Sequence, residues 1–260
     1  MNKKLNGHTV IISGAAGDIG RATVMAYAQQ GANIAAGDIL EPEALSDLRD
    51  QVEALGCRFH YQKCDVTEAS EVNNWIDQVT EDLGLPDIVV SNAAVTKQMS
   101  LREIDVEEWQ RQIAINLTGS FNLISQCANR LSQAKKPGRM VVVGSWAAEN
   151  VHRNLPAYCT SKAGLRMLMK CAAKEYAPDQ ILINEIAPGI VDAGLSAKIF
   201  REKPQIKESL LEQVPLGRFL TPQDIAEQIV YLSSFDNCHI TGTILLMDGG
   251  LSLNTECSTK

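Results

Sequence analysis

Tyr158 and Lys162 stand four residues apart in Tyr158-Cys159-Thr160-Ser161-Lys162. On a helix that spacing puts both side chains on one face. A free tyrosine loses its proton only at about pH 10, too high for a base at neutral pH. An ammonium group nearby favours the phenolate and lowers that value. A tyrosine tuned in this way exchanges a proton with an alcohol or carbonyl oxygen. The pair alone is common and also occurs as a surface pair. Its context adds weight, because Ser145 precedes Tyr158 by 13 residues and closes an apolar run. Strand ends in open α/β sheets are where ligands bind.

A second constellation lies near the start. Ser13-Gly14-Ala15-Ala16-Gly17-Asp18-Ile19-Gly20 follows one apolar run and opens a helical pattern. Small residues in such a turn let backbone approach a pyrophosphate, which the helix N-terminus stabilises. Asp38 follows Gly20 by 18 residues, at the end of the second apolar run. A carboxylate there accepts hydrogen bonds from the adenosine ribose hydroxyls and repels a 2′-phosphate. Gly37 and Ile39 beside it supply no cation. The expected cofactor is therefore NAD.

Positioning these groups requires strands and helices in alternation. Apolar runs at 9–13, 33–37, 58–63, 88–91, 140–144, 181–186 and 243–247 read as strands. Val10-Ile11-Ile12 and Val141-Val142-Val143 are apolar on successive residues, the mark of strands buried on both faces. Helical spacing occupies 19–30, 42–56, 68–83, 106–133, 157–177 and 222–235. The pattern predicts one Rossmann-type, doubly wound parallel sheet of about seven strands with helices on both faces. It runs through residues 1–260 as a single domain, with 193–214 as a helical insertion or a lid over the site.

Composition removes other classes. Apolar residues make up 45% and charged residues 21%, which excludes a wholly disordered chain. The net charge is −7, whereas nucleic-acid binders usually carry a basic excess. No apolar run approaches the roughly 18 residues of a membrane helix. Seven cysteines without C-x-x-C spacing argue against a metal site or a disulfide framework. They predict buried free thiols in a cytoplasmic protein.

Along its whole length the chain resembles the classical short-chain dehydrogenase/reductase family. The resemblance rests on Gly14–Gly20, Asp65-Val66, Ser91-Asn92-Ala93-Ala94, Asn116-Leu117-Thr118-Gly119, Ser145, Tyr158, Lys162, Pro188-Gly189, and the tail from Ile240-Thr241-Gly242 to Asp248-Gly249-Gly250. It implies Tyr158 as general acid/base, with Lys162 lowering its pKa and holding the nicotinamide ribose. Ser145 would hold the substrate oxygen and Asn116 a water and proton relay. Ser13, Gly14, Gly17, Asp18, Ile19, Gly20 and Asp38 would meet the dinucleotide. Asp65 and Val66 would meet its adenine, Asn92, Ala93 and Ala94 its ribose, and Pro188, Gly189 and Val191 its nicotinamide. A homotetramer or homodimer is implied, with the tail 241–260 near an interface. Three positions depart from the family pattern: Asp18 replaces a glycine of the turn, Ala94 the last glycine of N-A-G, and Ala193 a threonine. Asp18 is expected to point outward and favour the helix N-terminus.

Substrate signals are thinner. Ala147, His152, Arg153 and Gly189 join Ser145 as candidate pocket residues, and with Lys97 they predict a polar, partly cationic pocket. The stretches 184–200 and 215–225 resemble those of bacterial sugar dehydrogenases of the family. This implies NAD-linked oxidation of a sugar, sugar acid or polyol hydroxyl. Reduction of a 3-oxoacyl thioester or another ketone by NADPH is the alternative within enzymes. A non-catalytic dinucleotide-binding scaffold is the alternative outside them.

Overall fold

A computed structural model describes residues 4–202 and 204–253. Seven strands form one parallel sheet: β1 (Thr9–Ser13), β2 (Asn33–Asp38), β3 (Phe59–Lys63), β4 (Ile88–Ser91), β5 (Gly138–Val143), β6 (Ile181–Pro188) and β7 (Ile244–Met247). Their spatial order is β3-β2-β1-β4-β5-β6-β7. The order reverses direction between β1 and β4, the switch point at which such sheets open a crevice.

There are nine α-helices among the described residues, α7 and α8 lying in the insertion and the others flanking the sheet: α1 (Asp18–Gln29), α2 (Ser46–Ala54), α3 (Ala69–Leu83), α4 (Val106–Ile113), α5 (Gly119–Gln133), α6 (Pro156–Tyr176), α7 (Gly194–Glu202), α8 (Pro204–Leu211) and α9 (Pro222–Leu232). Side chains alternate along a strand, so each strand feeds two cores. Val10 and Ile12 of β1 join Tyr27, Leu48 and Ile229 on one face. Ile11 joins Trp75, Leu123 and Met169 on the other. Both sets are apolar because helices cover both faces, which explains the unbroken apolar runs.

Local details differ from the periodicity. The pattern at 42–56 opens as a 3₁₀ turn, Pro42–Leu45, before α2. The expected helix over 106–133 divides into α4 and α5 around a π-helical segment, Ala114–Thr118, closed by Gly119 N–H donating to Ala114 O. The insertion 193–214 contains α7 and α8. A capping box starts α9, where Thr221 Oγ1 accepts from Asp224 N–H at 3.1 Å and Asp224 Oδ2 accepts from Thr221 N–H at 2.8 Å. Not all thiols are buried: Cys57, Cys64 and Cys127 are, whereas Cys171 and Cys238 are exposed, and Cys257 lies outside the described residues. The two exposed ones sit on a solvent-facing helix side and in a loop, where periodicity carries no burial signal. Among the described residues no helix is long and apolar enough to cross a membrane.

Candidate active site

One cleft of about 1260 Å³ runs along the C-terminal ends of β1, β2, β4, β5 and β6. That exceeds the roughly 300–1,000 Å³ of an ordinary small-molecule pocket, leaving room for a dinucleotide and a substrate together.

Its first wall is the turn after β1. Gly14 has φ +64°, and a Cβ there would come within 2.8 Å of Ala93 Cα. Only glycine allows that backbone and that approach together. Ser13 Oγ accepts from Asn92 N–H at 3.1 Å and Ala93 N–H at 3.2 Å, tying the turn to the loop after β4. Asn92 Nδ2 returns bonds to Ser13 O and Gly14 O at 3.1 and 2.9 Å. Gly17 caps α1 with no side-chain hydrogen bond. The first N–H groups of a helix have no intrahelical partner, and those of Asp18, Ile19 and Gly20 belong to residues that line the cleft. A Cβ on Gly17 would meet only Gly14 O, at 3.6 Å. This turn therefore fits a pyrophosphate.

Asp18 lies in the first turn of α1, as its charge favours, and its Oδ2 also accepts from Gly194 N–H at 2.7 Å. The carboxylate thus joins the start of α7 to the glycine turn. Asp38 stands at the end of β2, with Oδ2 accepting from Ala16 N–H at 3.0 Å and Oδ1 from Leu40 N–H at 3.3 Å. A carboxylate oxygen has two lone pairs, so each retains capacity for a ribose hydroxyl. These residues fit an adenine dinucleotide.

The other end gathers the remaining predicted residues. Ser145 follows β5 and accepts Ala147 N–H at 3.1 Å through Oγ. Tyr158 hydrogen-bonds to Ser145 across the cleft wall. Lys162, one turn further along α6, is buried and donates from Nζ to Val143 O at 2.8 Å. Its Nζ lies 5.7 Å from the centre of the Tyr158 ring. The titration pattern differs from the sequence expectation. Burial holds the Tyr158 phenol above its ordinary value, and the Ser145 hydrogen bond opposes this only in part. Lys162 is itself pushed down to about 8 by burial, with Glu185 pulling the other way. The reason is placement, since Lys162 engages a main-chain carbonyl and faces the ring of Tyr158 rather than bonding to its hydroxyl.

Asn116 occupies the π-helical segment and is fully buried. Its Oδ1 accepts from Val95 N–H at 2.8 Å, and its Nδ2 donates to Val95 O at 2.9 Å and Ser161 Oγ at 3.0 Å. It joins the loop after β4 to α6 and does not itself line the cleft. Of the other expected residues, Ala93, Ala94, Pro188, Gly189, Val191, Ala147 and His152 line the cleft, together with Gly14, Gly17 to Gly20, Asp38, Asn92, Ser145, Tyr158 and Lys162.

Ser13, Asp65, Val66 and Arg153 are not brought to the lining. Ser13 is spent on the neighbouring loop. Asp65 Oδ1 accepts from Thr67 N–H and Oγ1 at 2.9 and 2.8 Å, and Val66 packs beneath Gly119. Arg153 is exposed, and Lys97 lies 3.9 Å from Glu108. The expected cationic pocket is thus absent: Lys162 is the only Lys or Arg among the lining residues described. Instead Trp146, Val151, Leu155, Phe200, Ile206, Leu210 and Leu251 give the substrate end an apolar wall, with Thr96, Gln98, His152, Glu202 and Gln213 as polar points. His152 stands edge-on to Trp146 at 4.7 Å, and burial lowers its pKa. Ile206, Leu210 and Leu251 carry no motif. Their only sequence signal is membership of an insertion or tail that must cover something.

A family model described as enoyl-(acyl carrier protein) reductase matches residues 14–252. A 3-oxoacyl-acyl-carrier-protein reductase from Thermotoga maritima is 32% identical, covering 95% of this chain and 99% of that protein. D-threitol dehydrogenase from Mycolicibacterium smegmatis is 33% identical, covering 96% and 95%. The solved structure of an NAD⁺-bound xylitol dehydrogenase superposes with a TM-score of 0.89 at 28% identity, covering 95% of this chain and all of that one.

Proposed function

The chain belongs to the short-chain dehydrogenase/reductase family, and from that premise we propose that it interconverts a neutral secondary alcohol and its ketone with NAD(H). A sugar or polyol hydroxyl is the first substrate class. The observation that carries this reading is one cleft holding Asp38 at one end and the Ser145–Tyr158 hydrogen bond at the other. Threitol and xylitol in the names of two similar proteins support a polyol. The sugar-acid option loses support, because neither Lys97 nor Arg153 lines the cleft. The second reading, a 3-oxoacyl thioester reduced by NADPH, draws on the Thermotoga relative's name and is opposed by Asp38.

Asp38, the α1 N-terminus, Asn92 to Ala94, and Pro188 to Val191 would hold the dinucleotide, which when bound supplies the hydride acceptor or donor. Ser145 Oγ holds the substrate oxygen. Tyr158 takes the alcohol proton in oxidation and returns it in reduction. Lys162 meets the nicotinamide ribose. Asn116 fixes Val95 and α6, and through them the wall behind the relay. The segment 193–214 closes over the substrate. Exposed Phe121 on α5 and Met167 on α6 support a homotetramer or homodimer, to be read by light scattering. Free thiols support a cytoplasmic setting.

The test is a panel of sugars, polyols and cyclic alcohols with NAD, run beside Tyr158→Phe. The variant keeps NADH binding and loses turnover by about 100-fold or more. Unchanged turnover refutes the proton role of Tyr158. NADH binding without turnover on any substrate moves the scaffold reading ahead.

A further inference from the structure

Behind the Ser145 end of the cleft lies a buried ion pair that the proton chemistry above leaves unused. Glu185, in the interior of β6, has a side chain 0% exposed, and that of Arg166 on α6 is 8% exposed. Arg166 Nε donates to both Glu185 oxygens at 3.2 and 3.0 Å, and Nη2 donates to Oε1 at 2.8 Å. The same Nη2 donates to the Ser145 carbonyl at 3.1 Å. Nη1 reaches Glu149 Oε1 at 2.6 Å, just beyond the Trp146–Ala148 turn. One guanidinium therefore joins β6, the residue after β5 and the turn that carries Trp146 and Ala147 into the cleft.

Gly144 belongs to the same unit. A Cβ there would come within 2.0 Å of Glu185 Oε1, so the carboxylate takes the space of the side chain preceding Ser145. Burying two charges is costly, and apolar residues of the same volume often serve stability as well. Stability is thus a weak reason for this pair, whereas its contacts lead to Ser145 and, one helical turn away, Lys162.

We propose that Arg166 and Glu185 are positioning residues of the active site: Arg166 fixes Ser145 and the turn beyond it, and Glu185 sets a carboxylate against Gly144, next to the Val143 carbonyl that Lys162 holds. This rests on the reading of Ser145, Tyr158 and Lys162 as the reacting set. The charges around α6 support it. β6 brings Glu185 and the turn after β5 brings Glu149, while Tyr158 is the titrating neighbour on α6 itself. On α4, Glu108 is engaged by Arg111, and on α5, Arg130 is engaged by Asp77.

The experiment titrates Lys162 by NMR in the whole protein labelled with ¹³C-lysine, the signal being assigned with Lys162→Arg. Wild type is compared with Glu185→Gln, Arg166→Met and the double variant, which leaves no unpaired buried charge should a single variant fail to fold. Glu185→Gln lowers the Lys162 midpoint by about one pH unit, and Arg166→Met raises it. The double variant folds, yet loses about ten- to a hundred-fold in kcat with the KM for NAD unchanged. Identical midpoints throughout, or a double variant with wild-type kcat, would overturn the proposal. A wild type without turnover, or an unimpaired Tyr158→Phe, counts against the reading of the reacting set and leaves the Lys162 titration to judge the pair.

Discussion

Replacing Asp38 by asparagine removes one negative charge from the adenosine end of the cleft and preserves its geometry. The Asp38 oxygens hold Ala16 N–H at 3.0 Å and Leu40 N–H at 3.3 Å. An asparagine keeps one oxygen to accept the first of these, so the turn after β1 survives. The adjacent cleft residues Ile39 and Leu40 are 61% and 47% exposed and bring no positive charge. A phosphate placed about 4 Å from the carboxylate costs about 4 kcal/mol per unit charge at an effective dielectric of 20. Solvent and salt on the open side reduce this to about 2 kcal/mol. That corresponds to about 30-fold in affinity. Wild type therefore binds NADH about 30-fold more tightly than NADPH, and Asp38→Asn brings the two within about three-fold. The variant also weakens NADH several-fold, because hydrogen bonds to a charged acceptor become neutral ones. Paired fluorescence titrations of NADH and NADPH at two salt concentrations measure both effects. An NADH-to-NADPH ratio that is the same in wild type and variant would refute the reasoning.

Three further outcomes follow from packing and charge. Gly37→Ala destabilises the protein by about 1–3 kcal/mol in urea unfolding, because the new Cβ would come within 2.5 Å of the Trp75 ring. The Arg218 hydrogen bond, with those of Thr221, pulls Asp224 from 3.8 to about 2. A depressed folded value means that the stabilisation is fully present above about pH 4 and is lost as pH falls toward 2. The urea-midpoint difference between wild type and Asp224→Asn should shrink over that window, and a constant difference would contradict the assignment. Burial pushes the Cys64 and Cys127 thiols up to about 12. Mapped alkylation of the native protein at pH 8 should therefore label Cys171 and Cys238 and spare Cys64 and Cys127 until unfolding.

The strands were legible wherever both faces are buried by apolar side chains, as in β1 and β4. β5 starts earlier than its apolar run because Gly138 and Arg139 continue the ladder with β6. Arg139 is buried there over the Phe235 ring at 4.7 Å, a tertiary contact that a basic residue does not announce. In the cleft, residues fixed by local backbone geometry were legible, such as the turn from Gly14 to Gly20 and the spacing of Tyr158 and Lys162. The apolar wall was not, because Phe200, Ile206, Leu210 and Leu251 come from segments whose partners are set only by folding. Lys97 and Arg153 misled for a related reason. Charge type can be read from sequence, but whether Glu108 or solvent takes up the charge cannot.

The π-helical segment between α4 and α5 has a consequence in phase. Each residue of a regular helix advances about 100° around the axis. The wider loop from Ala114 O to Gly119 N–H holds one residue more than an α-turn, so α5 is wound out of step with α4. Their inward faces consequently follow two clocks, one through Glu108 and Gln112 and the other through Leu123 and Cys127. Asn116 sits where the clock is reset, which lets its amide meet Val95 and Ser161 at once. Its location is set by a count of residues as much as by their kind. Chain length between α4 and α5 is thus a constraint of the architecture in its own right: shorten it by one residue, and the same asparagine would turn by about a quarter of the circle away from both partners.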